Sequence, residues 1–499
     1  MRRTRSKRWA AIAAGLALAG AAVTGAATAP AATAADEPYV GYLFSYFTGE
    51  GTADGEQVYF GLSRGNDPLH YDDLNGNQPV LTSNIGTGGV RDPFIIRNPE
   101  TGRFYQIATD LKIYGNGDWD GAQRHGSRSI VVWESDDLVN WSAPRLELVS
   151  PPTAGNTWAP EAYWDAARGE FVVFWASKLY AESDPNHTGS SYNRMMYATT
   201  SDFNTFSAAQ VWIDPGYSVI DSTVTQHNGT YYRFTKDERS NSGSSPCGKF
   251  ITAERATDLR DTSWDFIADC IGRGTISQGE GPTIFKSNTE DRWYLFIDEF
   301  GGRGYVPFQT TDLASGTWSA VSDYDMPTDP RHGTVLPVTQ AEYDRLRAAF
   351  GSTDTVQPGT WYEVESAHSG LVWDIAGQST TRGALLTQWS SWGGANQQFR
   401  FADAGSGYHT IEARHSGLVL DVSGASTANG ADVVQWTPTG GTNQQFRVRA
   451  NGDGTVTFLN RNSGKALDLY DFATDPGARI SQYTDNGNAV QKWILHPAS

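Results

Sequence analysis

The sequence is poor in sulfur, in positive charge and in long apolar runs. Its 499 residues include two cysteines, Cys247 and Cys270, and four methionines. Two cysteines allow one disulfide in an oxidising compartment. They exclude a disulfide framework and a cysteine-based metal site. Thirty-eight Lys and Arg stand against 56 Asp and Glu, a formal charge of −18. A polyanion-binding protein carries the opposite sign, so neither nucleic acid nor an anionic membrane is an expected partner. Beyond residue 35 no stretch approaches the roughly 18 apolar residues of a membrane-spanning helix. Residues 1–35 read as a secretory signal peptide, with a basic start, a small apolar run and Ala32-Thr33-Ala34 as cleavage site. Removing those residues takes away five positive charges and moves the formal charge to −23. The product is expected to be secreted, extracellular and monomeric.

Aromatics, by contrast, are plentiful: 17 Trp and 22 Tyr. Such side chains fill cores and also stack on sugar rings. The length exceeds what one core usually holds, so two domains are expected. The C-terminal third repeats every 47 residues: Gly370, Gly417 and Gly464; Asp374, Asp421 and Asp468; Phe399, Phe446 and Trp493. Three copies of short β-type runs with Gly and Asn turns indicate a three-fold all-β unit whose copies complete one another's core. The repeat Gln397-Gln398-Phe399, Gln444-Gln445-Phe446 and Gln491-Lys492-Trp493 resembles the Gln-x-Trp mark of the ricin-B-type β-trefoil, carbohydrate-binding module family 13. That resemblance covers about 358–498 and implies sugar contact by Asp374, Trp389 and Asn396 in the first lobe and Asp421, Trp436 and Asn443 in the second. The third lobe offers Asp468 and Tyr483 but has Val490 in place of the Asn. The glutamines are expected to hold the fold together.

Residues from about 39 to 350 repeat more loosely. Asp137 with Trp141, Asp202 with Phe206, Asp258 with Trp264 and Asp312 with Trp318 each follow an apolar strand, and Asp67 with Tyr71 is a weaker fifth copy. Five copies of about four strands each predict a five-bladed β-propeller. The first unit lacks an inner strand, and "RHGTVLPVT" (331–339) is expected to supply it and close the ring, removing an open edge. The expected organisation is 1–35 signal peptide, 38–349 propeller, 350–357 linker and 358–498 trefoil.

Long polar loops at 112–128, 179–193 and 237–248 fall on one side of this scaffold, where function usually resides. On that side the inner strands begin with Asp92, Glu161, Asp221 and Glu280, and the closing strand begins with His332. Converging carboxylates raise one another's pKa, a cost that chemistry or a bound cation would justify. Paired carboxylates across a cavity suit glycoside hydrolysis. The order "RDPF", "TWAPEA", "VIDST", "GEGPTIF" resembles glycoside hydrolase family 43. The resemblance implies an inverting enzyme with Asp92 as general base, Glu280 as general acid and Asp221 tuning the acid. Phe94, Trp158, Glu161, Lys236, Asp237 and Arg303 are candidate wall or pocket residues. The family also implies a cation near the axis beside His332, Ca²⁺ by donor type, with no cofactor otherwise required.

The expected substrate is a plant-type polysaccharide or oligosaccharide losing α-L-arabinofuranosyl or β-D-xylosyl units, with galactosidase or galactofuranosidase action as the alternative. Long loops favour a closed pocket and exo action. A non-catalytic lectin is the competing class. Sucrose or fructan hydrolysis is weakened because Asn66-Asp67-Pro68 falls in a turn and no Glu-Cys pair exists.

Overall fold

The computed structural model describes residues 37–498 apart from 352–355, 358, 406–407 and 452. The expected signal peptide, and part of the expected linker, lie outside these residues. The N-terminal strands are β1 (Tyr39–Phe47), β2 (Tyr59–Ser63) and β3 (Tyr71–Asp73), then β4 (Val90–Arg97), β5 (Phe104–Asp110), β6 (Ser129–Ser135) and β7 (Arg145–Leu148). Next come β8 (Trp158–Asp165), β9 (Glu170–Lys178), β10 (Asn193–Thr200) and β11 (Gln210–Ile213). They are followed by β12 (Val219–His227), β13 (Thr230–Asp237), β14 (Ile251–Ala256) and β15 (Asp265–Ile271). The last are β16 (Glu280–Lys286), β17 (Trp293–Glu299), β18 (Gly304–Thr310), β19 (Ser319–Ala320) and β20 (Arg331–Thr339).

These form five four-stranded antiparallel sheets: β20-β1-β2-β3, β4 to β7, β8 to β11, β12 to β15 and β16 to β19. The protein is therefore a five-bladed propeller in which the late strand β20 pairs with β1, for example Leu43 with Leu336. The missing inner strand of the first blade is the one expected.

The strands read as unbroken apolar runs because both faces of each blade are covered. In β9, Phe171, Val173 and Trp175 pack toward the second blade, while Val172, Phe174 and Ala176 pack toward the fourth. Side chains alternate across a strand, so one run serves two interfaces. The propeller core is thus five separate interblade clusters. The repeated aspartates cap tight turns: Asp137 accepts from the Val139 and Asn140 N–H groups, and Asp202 from those of Asn204 and Thr205. Such Asx turns are what aspartate at that position favours.

Two helices complete this half. α1 (Trp119–Arg124) lies in the 112–128 loop and is capped by Asp118. α2 (Gln340–Phe350) follows the closing strand directly and carries a Thr339/Glu342 capping box, with Leu346 buried between the first two blades. The sequence reading placed no helix there. Twelve further strands between Trp361 and Pro497 form one continuous sheet around a core containing Trp373, Phe399, Phe446, Leu467 and Trp493. This is the trefoil. It docks on the first blade through an Arg447–Asp325 ion pair and through Tyr408, whose ring is faced by the guanidinium groups of Arg64, Arg447 and Arg461. Among the described residues no helix is long and apolar enough to cross a membrane.

Candidate active site

Four inner strands begin with the same irregularity. Asp92, Ala159, Asp221 and Gly281 have φ of 51°, 49°, 53° and 50°. At each, the register with the next strand slips: between Arg91 and Phe94, Trp158 and Glu161, Ile220 and Ser222, and Glu280 and Thr283. These are β-bulges, which bend a strand and re-aim a side chain. Pro93, Pro160 and Pro282 follow three of the four positions, where a strand has no ladder donor to lose. The left-handed conformation costs an ordinary L-residue about 1–2 kcal/mol, and Asp tolerates it better than most. The four acids are therefore not equivalent by position: Asp92 and Asp221 occupy the bulge itself, Glu280 precedes it and Glu161 lies two residues beyond.

The bulges bring the side chains round His332. Asp92 Oδ1 lies 3.4 Å from His332 Nδ1, and Asp92 Oδ2 accepts the Thr109 hydroxyl at 2.8 Å. The same hydroxyl oxygen accepts the Ala159 N–H at 2.7 Å, tying the second blade to the third. Asp221 Oδ1 lies 4.0 Å from His332 Nδ1, and its Oδ2 accepts the Gly281 N–H at 3.1 Å. Glu280 accepts from Lys236 Nζ at 2.8 Å and from Arg331 Nη2 at 3.0 Å. Arg331 Nε also donates to Asp298 at 2.6 Å. Asp92 and Glu280 thus come from the blades on either side of the one bearing His332. Both side chains reach solvent, at 16% and 23% exposure, against 7% for Asp221 and 8% for His332.

The charges divide by neighbour. Burial alone would raise the Asp92 carboxyl, but His332, Arg91 and the Thr109 hydroxyl hold it below its ordinary value. Burial likewise opposes ionisation of Glu280, and Lys236 and Arg331 outweigh it, so Glu280 is also lowered. Asp221, buried and close to both other acids, is raised to about 6. Glu161 is raised to about 8 because it is desolvated. Burial disfavours the imidazolium of His332, yet the surrounding acids raise it to about 9. At neutral pH the site holds an imidazolium, a paired Glu280, an ionised Asp92 and a protonated Glu161.

The other sequence candidates separate. Lys236 is part of the acid cluster, bonded to Glu280 and Glu238 and lying over the Phe300 ring. Glu161 is buried at the axis, hydrogen-bonded by Thr223. Trp158 meets Trp119 of α1 edge to face at 6.2 Å. Phe94 is not a pocket residue: it is buried in the cluster between the second and third blades, on the face opposite the one the bulge re-aims. Asp237 is buried and held by Arg239 rather than lining a pocket. Arg303 pairs with Glu299 at 2.6 Å, apart from the three acids.

A direct calcium cage at His332 does not fit the donor set. Among the described residues, the three His, Cys, Asp or Glu ligand atoms that all lie within 4.8 Å of one another belong to Cys247, Asp269 and Cys270. Those two sulfurs are joined in a disulfide. At the axis His332, raised to about 9 by the surrounding acids, already supplies positive charge to them.

Sequence reasoning missed the support. Buried Glu56 accepts the Ile113 and Tyr114 N–H groups and an Arg91 hydrogen bond, anchoring the loop that carries Trp119. Arg91 lies between the Phe47 and Trp119 rings. Arg91 and Arg331 directly precede Asp92 and His332, and this Arg-before-site pairing was the available signal.

In the trefoil the three lobes repeat at atomic detail. Gln397, Gln444 and Gln491 each donate to the lobe aspartate (Asp374, Asp421, Asp468) and accept the Trp392, Thr439 or Asn486 N–H. Asn396 donates to Asp374 at 2.8 Å and to the Ile375 carbonyl, and Asn443 hydrogen-bonds Asp421 and donates to the equivalent Val422 carbonyl. Val490 is buried and gives Asp468 no such bond. Trp389, Trp436 and Tyr483 are exposed beside their aspartates.

Residues 37–344 match the family described as "Probable glycosyl hydrolase domain". Residues 349–436, 395–483 and 442–499 match "Ricin-type beta-trefoil lectin domain-like". A curated relative, an alpha-L-arabinofuranosidase from Bifidobacterium longum subsp. longum, is 35% identical over 317 residues, 56% of this chain and 29% of that protein. The chain therefore spans less than a third of that relative's length. Among solved structures, an exo-beta-1,3-galactanase from Clostridium thermocellum is 20% identical, covers 81% of this chain and 95% of its own, and has a TM-score of 0.40. A designed three-fold symmetric protein, ThreeFoil, is 45% identical over 27% of this chain and 96% of its own, with a TM-score of 0.27. With a match covering well over half its length, the chain belongs to the glycosyl hydrolases related to family 43 and carries a ricin-type β-trefoil behind the propeller.

Proposed function

We propose that this glycosidase is a secreted, inverting hydrolase that removes α-L-arabinofuranosyl units from a plant-type polysaccharide, while its trefoil holds the enzyme to that polymer. The observation that carries this reading is the placing of Asp92 and Glu280 on the two blades flanking His332, both reaching solvent. Asp92, kept ionised by His332 and Arg91, takes a proton from water as the water oxygen bonds the anomeric carbon. The glycosidic C–O bond breaks, and its oxygen takes the proton of Glu280. Asp221 tunes this acid through charge: the two carboxylates repel, which opposes the lowering of Glu280 by Lys236 and Arg331 and favours the proton that Glu280 must carry. Lys236 and Arg331 stabilise the carboxylate that Glu280 becomes. The arabinofuranosidase identity of the 35%-identical relative supports the choice of sugar. Export is consistent with the Cys247–Cys270 disulfide, which persists in oxidising compartments.

The test is a side-by-side screen of nitrophenyl α-L-arabinofuranoside, β-D-xyloside, galactofuranoside and galactopyranoside, with the product anomer read by NMR. Arabinofuranoside should be cleaved fastest, with inversion. Faster galactoside cleavage would reassign the sugar, and release from none of them would leave a sugar-binding protein only.

A further inference from the structure

A cavity of about 570 Å³ lies between the fifth blade and the first, next to the acid cluster but outside it. Thr48, Thr52, Arg303, Tyr324, Met326 and Arg331 are among its lining residues. We propose that this cavity is the subsite for the departing sugar, the part of the polysaccharide that remains after the terminal unit is cleaved. The inference rests on reading Glu280 as the general acid.

Three observations carry it. First, Arg331 belongs to both places. Its guanidinium binds Glu280 and Asp298, and Arg331 is also one of the residues lining the cavity, so the cavity and the acid share a neighbour. Second, the chemistry fixes the side. The proton of Glu280 goes to the glycosidic oxygen, and that oxygen stays with the leaving sugar. The departing residue must therefore lie on the Glu280 side, while water enters beside Asp92 on the second blade. Third, the lining suits a neutral, hydroxyl-rich ring. Thr48, Thr52 and Arg303 offer hydrogen bonds, and Tyr324, Met326 and Pro327 offer apolar surface. Sugar sites combine such surfaces with a few placed polar groups, and the volume falls within the roughly 300–1,000 Å³ of small-molecule sites.

The arrangement also gives Arg303 a place. It touches none of the three acids, but Glu299 at 2.6 Å and the Thr275 carbonyl at 2.9 Å hold its guanidinium at the cavity rim. Gly302 and Gly304 flank it and Gly51 lies across the rim, where an added Cβ would meet nothing within 4 Å. The mouth there is open.

The test compares the full chain with Tyr324→Ala and with Thr52→Trp, which fills the exposed rim without touching the core. For each, kcat/KM is measured on a nitrophenyl arabinofuranoside and on an arabinofuranosyl oligosaccharide whose leaving group is a sugar. The ratio of oligosaccharide to aryl activity should fall about tenfold in Thr52→Trp and several-fold in Tyr324→Ala, because remote binding energy is lost only where the leaving group reaches the cavity. A ratio within about twofold of the parent in both variants overturns the subsite. If the parent cleaves the aryl glycoside and the ratio is unmoved, the subsite alone is wrong. If the parent releases no sugar from any glycoside, the acid assignment and the subsite fall together.

Discussion

At the scale of single residues, the account depends on which carboxyl keeps its proton. Asp92 is held below its ordinary value, so the acid limb of the pH–rate profile should lie below the titration of an ordinary aspartate. Asp221 and Glu280 repel as carboxylates and Asp221 is raised to about 6, so the two titrate together and kcat/KM should fall as pH rises through that value. Lys236 lowers Glu280, and removing its charge must raise the pair's affinity for the proton. In Lys236→Met the alkaline limb of the pH–rate profile should therefore move to higher pH. A limb that stays put or moves down would separate Lys236 from the acid. Asp92, Asp221 and Glu280 stood out in the sequence because acids recurred where strands begin. Their support did not: the contacts of Glu56 with residues 57 and 58 positions away, and of Arg331 with Glu280 51 positions away, have no local signature. Phe94 was misplaced for a related reason, since a bulge reverses which side of the strand a residue faces.

At the scale of elements, the repeated bulge is the device that aims the site. Gly281 is the most constrained of the four positions: an added Cβ would stand 2.6 Å from His332 Cγ, at a φ of 50°. Gly281→Ala combines about 1–2 kcal/mol of left-handed strain with about 1–3 kcal/mol of overpacking. It should lower the unfolding midpoint and activity together by displacing His332. Ala159→Gly, which only relieves strain, should leave stability within about 1 kcal/mol. Differential scanning calorimetry of the two variants checks this, and an unaffected Gly281→Ala would remove His332 from the centre of the account. The strand-turn-strand meanders were legible because unbroken apolar runs and Asp turns have local causes. Helix α2 was missed although "TQAE" spells a capping box, because Leu346 is the only apolar side chain of α2 that is fully buried.

At the scale of the whole molecule, β20 closes the ring and then leads through α2 to the trefoil, which is docked by Arg447, Asp325, Arg64 and Tyr408. Ring closure was readable in advance, since the first unit lacked a strand and an unassigned one followed the fifth. The docking was not, because it joins residues about 120 positions and more apart through a few arginines. Trp389→Ala with Trp436→Ala should weaken pull-down on insoluble arabinose-bearing polysaccharide and slow its hydrolysis several-fold more than that of a small soluble glycoside, as loss of tethering predicts. Equal losses on both substrates would mean that the trefoil supports the propeller rather than the polymer. The central claim is that Asp92 and Glu280 divide water activation and leaving-group protonation between them. The most direct measurement is kcat/KM for Glu280→Gln and Asp92→Asn across aryl arabinofuranosides of increasing leaving-group pKa. Glu280→Gln should lose little with the most acidic phenols and about 10²–10⁴-fold with the least acidic, while Asp92→Asn loses a similar large factor throughout. A Glu280→Gln loss that ignores the leaving group, or an Asp92→Asn loss that follows it, would contradict the assignment.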